Sequence, residues 1–554
     1  MPFCYRCTCL TVIRCNFRFY GFFAGSVPTD SLADSKGLSP RIPPRRPMSA
    51  KTRIRSTIIR KVNEMLKIRK VNALVLPDVR RRMCLVGMTV AAACFCHVAT
   101  YGKTAGRAGQ TKNDSTVDAE DAVSSTIGLD MTHIEIQSCA KITLDRTNAT
   151  YRCGEEAVFT VSVAEKNGAK FKSGTVEWKL DNYGSHVFSK GSFDLAKGDT
   201  FEVRGKLPYP GFLRLTVCGG TGKKAFARSY SAAYEPGKIR TGVPKPKDFD
   251  SFWDDAMARL EREVPIDVQI EPVERLSKNG ISVSRISFAT FGGRVHGVLS
   301  HPTDLGGTPL PARVRCPGAG PGWLVNNHGG DSRYVTLVMS VHGFRLPEDA
   351  KERKALYGRQ EAKYRRLHGR NKARAYPVAG MTVSRESVHF FSVILGINRA
   401  VNWLASRPYV DKRHITYSGA SQGGGFGLYL AGLNRNITKA YCGVPALVDL
   451  LGLKQDGRQS GWPRVIEFET QTDPKRLSVI ESVAPYFDGA FFAERITIPI
   501  RLSVGYADGS CSPQSVLSAY NAIPSKDKKL YHGIGGTHGS PNAPANEVRE
   551  WLEK

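Results

Sequence analysis

The sequence predicts two folded parts: an α/β part, with a mostly parallel sheet flanked by helices, preceded by an all-β sandwich. Three observations predict it. From about residue 130 to 234, short alternating apolar runs are separated by turn residues at intervals of about 10–20. From Ala312 to the C terminus, apolar strand-like runs alternate with helical stretches. The chain is 554 residues long, too much for one ordinary domain.

Composition narrows the classes. A hydrophobic content of 41% with 54 glycines and 31 prolines suits a folded, loop-rich protein and excludes wholesale disorder. The formal charge, 79 − 50 = +29, invites a nucleic-acid reading. Residues 1–83, however, hold 18 Lys/Arg against 4 Asp/Glu, so +14 sits in a segment expected to be absent from the mature protein. The remaining charge is diffuse, and no nucleic-acid partner is expected. Seven of the 13 cysteines precede residue 100. Cys4, Cys7 and Cys9 lack the second pair or the histidines of a zinc site, so no metal is expected.

Residues 1–105 read as a basic leader and signal peptide. Arg80, Arg81 and Arg82 precede an apolar stretch from Met83 to Ala99, the layout of an export signal, and shorter than the ~20 residues a spanning helix needs. Translation is expected to begin at Met65 or Met83. Export to the periplasm or the outside is the expectation, with a tether through the uncleaved segment or a lipid on Cys94 as the alternative.

Residues 130–234 are expected to form an Ig-like sandwich. Ala157 to Val163, Thr175 to Leu180, Phe201 to Val203 and Phe212 to Val217 read as strands ended by Gly, Asn or Asp. Cys153 and Cys218 could bridge its sheets or stay as free thiols. A polysaccharide platform at Trp178 or Tyr183 is the functional option here, and a packing module the simpler one. Residues 235–250 are a Pro/Lys-rich linker.

The α/β part, residues 251–554, opens on a helix over Phe249 to Glu263 that carries Phe252, Trp253, Met257 and Leu260 on one face. Ile281 to Phe288 and Arg294 to Ser300 alternate as an antiparallel pair about Gly292-Gly293. A basic insertion, residues 344–377, interrupts the pattern; residues 344–376 hold 11 Lys/Arg against 4 Asp/Glu. Its few aromatic residues do not form a stacking platform among the charges, so it reads as a solvated flap near a site.

The most informative stretch is Gly419-Ala420-Ser421-Gln422-Gly423, a G-x-S-x-G between a short strand and a helix. Glycine is needed on both flanks because side chains there would strike the neighbouring strand and helix. A hydroxyl becomes a nucleophile only when a base takes its proton, and the base needs an acid to orient it. Asp508 follows the strand Ile498 to Gly505, and His538 lies in a glycine-rich loop after the last predicted strand, Lys529 to Gly533. Asp449 is the rival acid, with helix capping as its other role. His532 lies within a strand, and Ser418 comes too early for the turn. The oxyanion donors are expected to be the backbone N–H groups of Gln422 and Ala319, the latter in the loop Cys316 to Gly322; an ordinary Gly/Pro turn is the other reading of that loop.

These residues resemble the acetyl xylan esterase/cephalosporin C deacetylase family (carbohydrate esterase family seven), a branch of the α/β-hydrolases. The resemblance covers residues from about 245 to 554. It rests on Phe252-Trp253-Asp254, on Arg399 to Leu404, on Gly-Ala-Ser421-Gln followed by three glycines, and on Asp508 with Cys511 and Pro513 after it. It implies removal of acetyl groups from xylan-type oligosaccharides or similar small esters, without metal or cofactor. It also implies that a homo-oligomer is possible, as compact members form rings. Where the family shows His-Gly-Tyr, this chain has Pro317-Gly318-Ala319, which keeps a backbone donor but changes the acyl pocket. A peptidase of the same fold, and a catalytically silent carbohydrate-binding protein, are the alternatives.

Overall fold

The structure, a computed structural model, describes residues 140–165, 168–171, 173–220, 226–320, 324–326, 330–368, 375–469 and 474–554. The leader and its apolar segment lie outside the described residues. Among the described residues, no helix is long and apolar enough to cross a membrane.

Residues 140–234 form eight strands: β1 (Ala140–Leu144), β2 (Thr150–Tyr151), β3 (Glu156–Val163), β4 (Thr175–Asp181), β5 (Val187–Asp194), β6 (Thr200–Lys206), β7 (Gly211–Gly219) and β8 (Phe226–Tyr234). They make one sheet in the order β1-β3-β6 and a second in the order β2-β8-β7-β4-β5. Strand β3 shows why: Ala157, Phe159, Val161 and Val163 face inward while the residues between them face out. They share a core with Leu213, Leu215 and Val217 of the other sheet, so the two sheets pack face to face. Cys153 and Cys218 are not bonded to each other. The Cys153 thiol donates to Glu235 at 3.1 Å, and Cys218 is buried in β7. Tyr183, 2% exposed, is closed to sugar, whereas Trp178 is half-buried, its indole lying over Gly191, where a β-carbon would come within 2.6 Å of it.

After helix α1 (Phe249–Glu263) come β9 (Gln269–Pro272), β10 (Ile281–Thr290), β11 (Gly293–Pro302), β12 (Leu310–Arg315) and β13 (Val335–Met339). The basic insertion carries α2 (Ala350–His368) and α3 (Ala375–Val378), followed by α4 (His389–Ala405). The rest alternates: β14 (Val410–Ala420), α5 (Gln422–Leu433), β15 (Lys439–Gly443), α6 (Val465–Glu469), α7 (Pro474–Val483), α8 (Gly489–Ala493), β16 (Ile500–Gly505), α9 (Pro513–Ala522), β17 (Lys528–Gly533) and α10 (Ala545–Glu553). The nine-stranded sheet runs β17-β16-β15-β14-β12-β13-β11-β10-β9. Strands β12 to β17 are mutually parallel, and the β9–β11 end is antiparallel.

Register then places the chemistry. Ala420 pairs with Gly443, Gly443 with Ser503, and Gly505 with Gly533. The loops that begin at Ser421, Tyr506 and Ile534 therefore leave the sheet from one edge, at the carboxyl ends of parallel strands, where α/β sheets hold their ligands. Helix α1 locks on through Trp253, fully buried, whose indole N–H donates to the Tyr486 carbonyl at 2.9 Å. Arg399, 1% exposed, is satisfied by the carbonyls of Leu260 and Ala289 and by Glu261. Most of the insertion is the 19-residue helix α2, whose described side chains are mostly exposed or half-buried, and it ends in Tyr376, which is fully buried. All described residues fall within one compact unit.

Candidate active site

Ser421 caps helix α5 with φ 56° and ψ −124°, a backbone conformation that costs a non-glycine residue of order 1–3 kcal/mol. Its neighbours explain how the turn is held. The Ser421 N–H donates to the Gly443 carbonyl at 2.9 Å, and its own carbonyl accepts from Ala446 at 3.0 Å. A β-carbon on Gly419 would lie 2.6 Å from the Gly423 carbonyl oxygen, and one on Gly423 would lie 2.3 Å from that of Cys316. Gly424 and Gly425 are equally closed in, by Gly443 and Ala446. The glycine run thus lets α5 drop against the ends of β12 and β15 and aims the serine out of the sheet.

Asp508 is fully buried. Its Oδ1 accepts from the N–H groups of Ser510 at 2.8 Å and Cys511 at 2.9 Å, which fixes the carboxylate and leaves Oδ2 for His538. His538 Nδ1 stands 2.8 Å from Asp508 Oδ2, and Nε2 stands 3.0 Å from Ser421 Oγ. With the proton on Nδ1 donated to the carboxylate, Nε2 presents its lone pair to the serine hydroxyl. The two loops are laced together: Tyr506 N–H donates to Gly533, and Ala507 N–H to Gly536. Asn542 then donates to the Thr537 carbonyl at 2.8 Å and steadies the residue before His538.

Burial, the largest influence on His538, disfavours the imidazolium. The Asp508 hydrogen bond and the neighbouring Cys511 outweigh it and hold the imidazole above its ordinary range. Burial pushes the Cys511 thiol up in turn. Asp508, Cys511 and His538 are the one group of metal-ligand type among the described residues, with donor atoms within 4.8 Å of one another. Two of those donors already face each other across the Asp508–His538 hydrogen bond.

Gln422 opens α5, so its N–H is one of the donors that a helix start leaves unpaired, and it sits beside the serine. The Ala319 loop is drawn to the same place: Gln422 Nε2 donates to the Gly318 carbonyl at 3.4 Å. Gly320 N–H donates to the Tyr376 hydroxyl at 3.2 Å, and the Gly320 carbonyl accepts from His342 Nε2 at 2.7 Å. Burial holds His342 down at about 3, so it stays neutral.

The rivals are accounted for. Asp449 is buried and meets Arg458 at 2.8 Å and the Gly242 N–H at 2.7 Å. It does not cap a helix, as only the short turn Gly452–Lys454 follows it and that turn has no side-chain cap. His532, on the edge strand β17, contacts the Tyr506 hydroxyl at 3.0 Å. Tyr376 and His342 hold the Gly320 loop from distant segments; nothing local to them in the sequence signals it.

Against known proteins, the family described as acetyl xylan esterase (AXE1) matches residues 236–554. An acetyl esterase, Axe7A, of Xylanibacter ruminicola is 25% identical over 379 residues, covering 66% of this chain and 79% of that protein. Among solved structures, an acetyl xylan esterase from a Paenibacillus species aligns with a TM-score of 0.48 at 23% identity, covering 58% of this chain and 98% of its own. Acetyl xylan esterase 1 from a Thermoanaerobacterium species gives 0.45 at 20% identity, covering 57% and 96%.

Proposed function

This chain belongs to the acetyl xylan esterase family and hydrolyses ester bonds, and from that premise we propose that it removes acetyl groups from carbohydrate, using Ser421 as nucleophile, His538 as base and Asp508 as the orienting acid. The single observation that carries the reading is the position of His538, within hydrogen-bond reach of Ser421 on one side and Asp508 on the other.

In the first half-reaction, Ser421 Oγ attacks the acetyl carbonyl carbon while its proton passes to His538 Nε2. The carbonyl oxygen becomes an anion that the N–H groups of Gln422 and Ala319 stabilise. Loss of one such donor costs about 2.7–4 kcal/mol of transition-state stabilisation. As the intermediate collapses, the sugar oxygen leaves with the proton from His538, and the acetyl group stays on Ser421. Water then attacks the acyl carbon, with His538 taking its proton and returning it to Ser421 as acetate departs. Asp508 keeps Nδ1–H in place and stabilises the imidazolium formed in both halves.

The natural ester is proposed to be an acetylated xylan-type oligosaccharide or a similar small acetyl ester, met outside the cytoplasm after export through residues 80–99. The test is release of acetate from p-nitrophenyl acetate and from acetylated xylo-oligosaccharides by wild type and by Ser421→Ala. Loss of both activities in the variant is expected. Equal rates would remove the serine mechanism, and rates confined to long-chain esters would remove the substrate class.

A further inference from the structure

The β-sandwich touches the acid loop, and Tyr183 is the point of contact. We propose that Tyr183 is a positioning residue for the Asp508–His538 pair, so that the sandwich is part of the esterase site rather than a separate sugar-binding module. The inference rests on the serine-esterase reading above.

Tyr183 lies in the turn between β4 and β5, in the left-handed region at φ 66°. Its hydroxyl donates to the Tyr506 carbonyl, two residues before Asp508, and contacts Ser231 Oγ at 2.9 Å. The ring is clamped from behind: the Arg214 guanidinium sits 4.3 Å from its centroid and is itself held by Asp181 at 2.9 and 3.0 Å. A buried, rigidly mounted hydroxyl therefore fixes the strand end from which the acid loop departs.

The same turn holds the other end of that loop. Gln514, in α9, donates to the Asn182 carbonyl at 3.1 Å. Asn182 in turn donates to the Asp456 carbonyl at 2.6 Å, and Ser185 N–H to that of Gly457 at 2.9 Å. From the adjacent strands, Phe212 meets the Tyr506 ring edge-on at 4.9 Å. Tyr230 fills the space beside Gly535 in the histidine loop, 2.5 Å from where a β-carbon would be. The sandwich thus abuts both sides of the Asp508 loop and the loop that carries His538. Facing Asp508 across this junction are His538, Cys511, Arg464 and Tyr183. An error of a fraction of an ångström in the carboxylate moves the imidazole off the serine, which is felt in turnover rather than binding.

Tyr183→Phe keeps the ring, its burial and its contact with Arg214, and deletes only the hydroxyl. The expected result is about a tenfold loss of kcat on p-nitrophenyl acetate with KM within about twofold. In an Asp508→Asn background the same change should have less than about a twofold effect, because both act through one carboxylate. Gln514→Ala, which cuts the second tie, is expected to lower kcat in the same direction if the first variant folds poorly. Full kcat in Tyr183→Phe, or an undiminished tenfold loss in the Asp508→Asn background, would overturn the proposal. If Ser421→Ala were as active as wild type, the esterase mechanism would fall and the proposal with it. Full activity in Tyr183→Phe beside an inactive Ser421→Ala would sink the proposal alone.

Discussion

The Tyr376 hydroxyl donates to the side-chain carbonyl of Gln422 at 2.7 Å while accepting from the Gly320 N–H at 3.2 Å. One phenol at the end of the basic insertion thereby joins the two loops assigned to the oxyanion donors. Tyr376→Phe keeps the ring and removes that joint. Its kcat on p-nitrophenyl acetate should fall about tenfold, the equivalent of ~1.4 kcal/mol in the barrier, while substrate affinity changes little. Steady-state kinetics check this, and an unchanged kcat would show that the two loops hold their places unaided.

Ser421→Ala removes the proposed nucleophile without disturbing the turn, since alanine is no harder than serine to place at that backbone conformation. Turnover of acetyl esters should fall by about 10⁴-fold or more. Circular dichroism and melting should match wild type, so the loss is chemical. Stoichiometric labelling of wild type, but not of the variant, by a fluorophosphonate would report the same serine independently.

The pH dependence follows from the sign of the His538 shift. The proposed mechanism needs neutral Nε2, and the imidazole is held above its ordinary value of 6.5, so it stays protonated to higher pH. The acid limb of kcat/KM is therefore expected above 6.5. Asp508→Asn removes the hydrogen bond that favours the charged form, so the limb should move to lower pH while the rate drops about 10⁴-fold. A limb that stays put in this variant would mean that another group titrates.

Asp449→Asn separates the two candidate acids. Its carboxylate meets Arg458, which is 4% exposed, and not the histidine. The acid limb should stay where it is, whereas stability should fall by about 3–5 kcal/mol because a buried guanidinium loses its partner. Chemical denaturation beside a pH–rate profile measures both, and a shifted limb would return Asp449 to the site.

Two glycines close to the serine should behave oppositely. A β-carbon on Gly423 would lie 2.3 Å from the Cys316 carbonyl oxygen, whereas one on Gly318 meets nothing nearer than 4.0 Å among the described residues. Gly423→Ala should cost about 1–3 kcal/mol or prevent folding, and Gly318→Ala should change stability by less than about 0.5 kcal/mol. Melting curves of the two variants decide it.

Ser421 was legible because its requirements are local. Glycines on both flanks, a strand before and a helix after are all written within a few positions of the serine. Asp508 and His538 were legible because chain order and strand ends point to them. The choice between Asp508 and Asp449 was not local: both follow strands, and only the partner each meets, His538 or Arg458, separates them. The insertion shows the opposite limit. Its charge speaks only of solvation; nothing in it announces the long helix or the buried tyrosine that pairs with a residue 46 positions away. Tyr183 reaches across 323 positions to Tyr506, and no spacing rule could announce that.

By itself, then, the sequence determined the strained turn, the strand ends that carry Ser421, Asp508 and His538 and the alternation that builds a parallel sheet, because each depends on neighbours a few residues apart. The tertiary structure alone decided which carboxylate faces the imidazole, what steadies the loop before Gly320 and why the sandwich stands against the acid loop. Those relationships depend on which surfaces come to lie together when the sheet closes its register, and residues far apart in the chain carry no local mark of the neighbour they will meet.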